Sequence, residues 1–178
     1  MVTLPNNIEE FTPQGHRVLA PFVYEGPAAK AIHRLKFSNR PELAQPLGQS
    51  LATEVLCAHI ANDSVLVPVP ATPDRIVERG YNQSALLATA LARKAGLRCL
   101  PTALRRNHFA PHQVGADKAQ RARQVVGAFS ANSRFISNTN VILVDDVVTT
   151  GATSAGCAEA IEAAGGRLIA VVAVARVL

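Results

Sequence analysis

Apolar residues along this chain follow two rhythms. Over residues 27–60 they recur at helical spacing. Ile32 and Leu35 share one face, and Leu43, Leu47, Leu51 and Val55 repeat every fourth position. This predicts a short helix over 27–37, with proline in its first turn. It predicts a second helix over 41–60, bent or restarted by Pro46. From residue 65 onward, short unbroken apolar runs take over. Residues 65–69, 97–104, 141–144 and 168–174 read as strands, the last two buried on both faces. Asn82 is a good N-cap and Gly96 a good stop for a helix over 83–95. Asn82 and Gln83 read as residues that cap this helix rather than touch a ligand. A further helix over 153–164 closes at Gly165 and Gly166. Residues 1–17 read as a loosely held arm. Residues 105–124 are polar and basic without clear periodicity, a long loop of the kind that serves as a lid. Residues 125–129 read as a returning strand.

Strand and helix alternate from residue 65, which implies a parallel sheet with helices on both faces. In such sheets ligands sit beyond the carboxyl ends of the strands. The length of 178 residues fits one domain. Hydrophobic residues at 48% against 17% charged exclude a disordered chain. The longest apolar run, 168–175, is far short of the roughly 20 residues of a membrane helix. Glu9 and Glu10 stand where a signal peptide carries basic residues. Cys57, Cys99 and Cys157 are too scattered for a zinc site or a disulfide framework. A soluble, cytoplasmic protein is expected.

Charge adds a ligand class. The net charge is +5, with 14 Arg against 4 Lys. A GC-rich genome alone favours arginine, so position says more than the total. Between Arg75 and Arg123 lie eight Arg and two Lys against only Glu78 and Asp117. Such a local excess points to a polyphosphate or a nucleic acid.

The segment Val141-Ile142-Leu143-Val144-Asp145-Asp146-Val147-Val148-Thr149-Thr150-Gly151-Ala152-Thr153 carries the sharpest chemistry. Four apolar residues bury a strand, and two carboxylates follow where it is expected to leave the sheet. A Thr-rich loop then starts a helix, where unpaired N–H groups and the helix dipole favour an anion. Gly151 lets the backbone approach that anion. Carboxylates repel phosphate, so they need another target. A ribose diol fits, because ionised Asp only accepts hydrogen bonds and hydroxyls donate. The expectation is a sugar phosphate, with hydroxyls on Asp145 and Asp146 and phosphate on Thr149, Thr150, Gly151, Ala152 and Thr153. No G-x-G-x-x-G or G-x-x-x-x-G-K-[ST] supports a dehydrogenase or a kinase-type loop.

This segment resembles the phosphoribosyl-pyrophosphate signature of type I phosphoribosyltransferases. Those enzymes bind 5-phosphoribosyl 1-diphosphate with magnesium and transfer phosphoribosyl to a nitrogenous acceptor. More narrowly, the chain resembles the ComF group, which is linked to competence for DNA uptake. Further stretches carry this resemblance: Leu35-Lys36-Phe37, Val67-Pro68-Val69-Pro70, Arg79-Gly80-Tyr81-Asn82-Gln83, and Gln113 through Arg121 to Gly127-Ala128-Phe129. The match runs from about residue 22 to the C-terminus. Many ComF proteins begin with a four-cysteine zinc finger, which this sequence does not contain. Ala116 and Gln124 also depart from the usual Leu and Asn.

The resemblance implies an α/β fold with a mostly parallel central sheet flanked by helices, a small N-terminal hood and a flexible lid loop. An arm over 1–21 is followed by one domain over 22–178, with the hood at about 22–61 and the core at about 62–178. Asp145 and Asp146 would hold the ribose at the catalytic centre. Arg75, Arg79, Arg105, Lys118, Arg121 and Lys36 are the candidates for the pyrophosphate and the lid. Magnesium would arrive with the diphosphate, without an all-protein cage. A homodimer is common in the superfamily. The alternative is a non-catalytic competence protein that binds single-stranded DNA or senses the ligand, with competence machinery as partner.

Overall fold

The structure, a computed structural model, describes residues 10–60, 63–107 and 127–178. Lys118, Arg121 and most of the predicted lid lie outside these residues. The chain begins with the strands β1 (Glu10–Phe11), β2 (Arg17–Leu19) and β3 (Phe22–Val23). Helix α1 (Gly26–Phe37), a 3-10 turn (Pro41–Leu43) and helix α2 (Ala44–Cys57) follow. Next come β4 (Ser64–Pro68), α3 (Pro73–Arg79), α4 (Gln83–Ala95), β5 (Arg98–Cys99) and β6 (Leu104–Arg106). The remainder is β7 (Phe129–Ala131), α5 (Ser133–Ile136), β8 (Asn140–Val148), α6 (Ala152–Ala163) and β9 (Arg167–Arg176).

Seven strands form one sheet in the order β1-β2-β9-β8-β4-β5, with β3 also paired to β9. Every pairing is parallel except that of β1 with β2. The centre is β8, whose Val141 to Val144 are completely buried. Alternation splits them between two cores. Ile142 and Val144 pack with Ile32 and Leu35 of α1, Leu51 and Val55 of α2, and Leu87 and Leu91 of α4. Val141 and Leu143 pack on the other face with Cys157 and Ile161 of α6, Ile136 of α5, and Leu104 and Phe129. A fully buried side chain of this size contributes roughly 1.5–3 kcal/mol relative to exposure. Continuous apolar strands are therefore what a sheet covered on both faces needs.

Several expectations need correction. Residues 10–17 are not a loose arm. They carry β1 and the start of β2, and β2 zips onto β9 through Val18↔Val171 and Leu19↔Val172. The ten-residue β9 presents backbone donors and acceptors on that side, and β2 and β3 satisfy them. The strand expected over 97–104 is broken. Only Arg98–Cys99 pairs with β4, and Pro101 intervenes before β6 joins β7 in a separate antiparallel pair. The helix expected over 41–60 opens as a 3-10 turn and runs to Cys57. Pro46 falls in the first turn of α2, where the missing N–H has no intrahelical acceptor to lose. Helices α3 and α5 were not anticipated, although each has a side-chain cap, Thr72 and Asn132 respectively.

Candidate functional site

The two acids do not lie where a strand leaves the sheet. β8 continues past them to Val148, and Asp145 is in register with Ala173 of β9. Although consecutive in a strand, both reach side chains at the start of α4. Asp146 points to the side of α1 and α4 and is only 3% exposed. Its Oδ1 lies 2.6 Å from the Lys36 ammonium at the end of α1. Its Oδ2 accepts from Gln83 Nε2 at 2.8 Å. Asp145 is half-buried. Its Oδ1 accepts from the Asp146 backbone N–H at 2.8 Å and from Ser84 Oγ at 3.1 Å. Burial, and then the charge of Asp146, push Asp145 up to about 7 against the smaller opposing pulls of the Asp146 N–H, Lys36 and Ser84. Burial first, and then the nearby Asp145 charge, also raise the Cys157 thiol, which lies beneath the site in the α6 core.

The start of α4 is set by its cap. Asn82 Oδ1 accepts from Ser84 N, while its Nδ2 donates to Val69 O beyond β4. That double bond ties the helix start to the strand end. It also delivers Gln83 and Ser84 to the acid pair. Asn82 thus caps as expected, whereas Gln83 does not cap and is held on Asp146 instead.

Both acids line one cleft of about 730 Å³ beyond the end of β4 and alongside the last residues of β8. Its other walls include Lys36, Arg75, Arg79, Arg106 and Thr153. Arg75 is partly committed to Glu78, 2.9 Å away. Arg106, not Arg105, lines the cleft, with its guanidinium 5.3 Å from the centre of the Phe129 ring. Neighbouring residues on β6 face opposite ways, and without the strand their parity could not be assigned. Ser84 and Arg106 are the residues that sequence reasoning missed.

Thr149, Thr150, Gly151, Ala152 and Thr153 line a smaller hollow that meets the cleft at Asp145 and Thr153. Gly151 is the N-cap of α6 at φ 75° and brings no side chain to its first turn. The first-turn N–H groups have no intrahelical acceptor. A Cβ at Gly151 would lie 2.7 Å from Thr12 Cβ and 2.9 Å from Gln14 Oε1, so the β1–β2 turn closes over the back of this loop. The Thr149–Thr153 loop and the two carboxylates therefore adjoin within one site.

Among the described residues no group of three or more His, Cys, Asp or Glu side chains could hold a metal ion. The two hard carboxylates, Asp145 and Asp146, would suit magnesium that keeps water and phosphate ligands of its own.

The mostly parallel sheet flanked by helices gives the chain a type I phosphoribosyltransferase-like fold. The glutamine phosphoribosylpyrophosphate amidotransferase from B. subtilis shares the fold at a TM-score of 0.51 and 21% identity, over 76% of this chain and 29% of that one. No protein-family model matches the chain. The DNA utilization protein YhgH of Escherichia coli is 32% identical over 170 residues, covering 93% of this chain and 74% of that protein. Competence protein F of Haemophilus influenzae is 31% identical over 136 residues, covering 73% of this chain and 59% of that protein. The chain belongs to the ComF family.

Proposed function

We propose that the cleft binds 5-phosphoribosyl 1-diphosphate with magnesium and transfers the phosphoribosyl group to a nitrogenous acceptor. One observation carries this reading: Asp145 and Asp146 share a cleft with Lys36, Arg75, Arg79 and Arg106, and the Thr149–Thr153 loop adjoins it. In this reading the ribose hydroxyls donate to Asp145 and Asp146. The 5′-phosphate accepts from the first-turn N–H groups of α6 and the threonine hydroxyls. The diphosphate faces Arg79, Arg75 and Arg106. Breaking the anomeric C–O bond leaves positive charge on the sugar and negative charge on the departing diphosphate. In this reading the carboxylates stabilise the first charge and the arginines the second. When bound, magnesium would add charge neutralisation to the diphosphate beside Asp145 and Asp146. Lys36 must share or release Asp146 when a diol arrives, which makes it a residue of the binding step.

The test is calorimetric titration of phosphoribosyl diphosphate with magnesium into the wild type and a D145A/D146A variant. Wild-type binding and its loss in a variant that still folds are expected. Unchanged affinity in the folded variant would sink the assignment. Transfer itself is read by pyrophosphate release with a panel of nucleobases.

A second reading is a non-catalytic role in handling single-stranded DNA. The names of the relatives favour it, since they refer to DNA utilization and competence. Exposed Arg105 and Arg106 beside the cleft supply the matching charge.

A further inference from the structure

Two stretches that are weak as sequence motifs meet residue by residue in the fold. At the end of α1, Leu35 is fully buried and its carbonyl accepts from Tyr81 Oη at 2.6 Å. Lys36 reaches Asp146. The Phe37 ring is half-exposed and carries the Arg79 guanidinium 4.9 Å from its centre. His33, one turn back, lies against the same ring at 4.9 Å between centroids. In the α3–α4 turn, Gly80 at φ 80° ends α3 and reverses the chain. Arg79 and Gln83 can then face each other, and Arg79 Nη1 donates to Gln83 Oε1 at 2.9 Å. The other end of the Gln83 amide is on Asp146.

The contacts close a ring: Asp146, Gln83, Arg79, Phe37, and back through Lys36 to Asp146. Arg79 is therefore fixed on two sides, by a carbonyl at Nη1 and by an aromatic face. Among the described residues its buried Nε has no hydrogen-bond partner. Arg79 lines the cleft, and an anionic oxygen entering it would meet the guanidinium donors that Gln83 leaves free.

We propose that the end of α1 and the α3–α4 turn form one clamp that presents Arg79 to a diphosphate oxygen, with Phe37 and Gln83 as its positioning residues. This rests on the phosphoribosyl diphosphate reading and deepens it. The flat ring matters because it fixes the guanidinium plane before ligand arrives, so less freedom is lost on binding. Phe37 itself touches no ligand in this arrangement, which makes it the clean position to test.

The probes are inorganic pyrophosphate and ribose 5-phosphate, titrated separately with magnesium into the wild type, F37A, F37L and F37W. F37A and F37L should weaken pyrophosphate about fivefold, the scale of one exposed cation–π contact. Ribose 5-phosphate affinity should stay level across the series. F37W should restore pyrophosphate binding, because an indole face carries a guanidinium at least as well. Equal pyrophosphate affinity in F37A, or a parallel loss of both probes, overturns the clamp. Wild-type binding of ribose 5-phosphate without pyrophosphate overturns the clamp but leaves the ribose pocket standing. Binding of neither probe removes the pocket reading and the clamp with it.

Discussion

Asp145 and Asp146 are chemically identical neighbours with unlike surroundings. Asp146 meets Lys36 and Gln83, so its charge is compensated. Asp145 meets a hydroxyl and a backbone N–H, and burial beside Asp146 raises its pKa to about 7. A raised carboxyl pKa means that folding favours the protonated form. Its stabilising contribution is fully present below the ordinary carboxylate pKa and is lost as pH rises through about 7. D145N keeps the shape and stays neutral, and its Oδ1 can accept the same two bonds. The stability of D145N relative to wild type should therefore grow between pH 4 and pH 8. The gain is a few kcal/mol at most, since one pKa unit is about 1.4 kcal/mol. Denaturant melts across that range check it, and a pH-independent difference would rule out a buried titrating Asp145.

At the scale of elements, the proposed phosphate loop depends on the left-handed glycine on which α6 starts. Thr12 and Gln14 approach that glycine closely and back the loop. G151A should fail twice. Its φ of 75° is strained for alanine, and its Cβ would collide with Thr12. The expected cost is roughly 1–3 kcal/mol of stability, together with weakened ribose 5-phosphate binding. Thermal melts and calorimetry read the two effects. Wild-type affinity in G151A would mean that the loop does not hold the phosphate. The loop, its glycine and the following helix were legible in sequence, because cap and periodicity are local signals. The continuation of β8 through the acids was not. Val147 and Val148 extend it because β9 offers partners as far as Arg176, a fact held by another strand.

At the scale of the whole molecule, a net charge of +5 is spread over a surface that presents cations around one cleft. If single-stranded DNA uses that surface, its phosphates displace counterions from the strand as they meet arginine. The logarithm of affinity should then fall linearly with the logarithm of salt, by about 0.7 per phosphate contacted. Titration of an oligonucleotide at several salt concentrations measures the slope, and absence of binding at low salt would remove the DNA reading. Added phosphoribosyl diphosphate separates a shared cleft from a remote surface, because it displaces the strand only in the first case.

Local order along the chain settled the α/β class, the buried strand at 141–144, the helix capped by Asn82, and the adjacency of two acids to a threonine-rich helix entry. Each follows from spacings of a few residues, where pleat, helical turn and cap chemistry act. Which side chains meet those acids was decided only by tertiary structure. Gln83 reaches Asp146 across 63 positions and Ser84 reaches Asp145 across 61. The arm became sheet, and Arg106 rather than Arg105 took the cleft, for the same reason. Strand parity and register exist only once a partner strand is present, and no spacing within one segment specifies them.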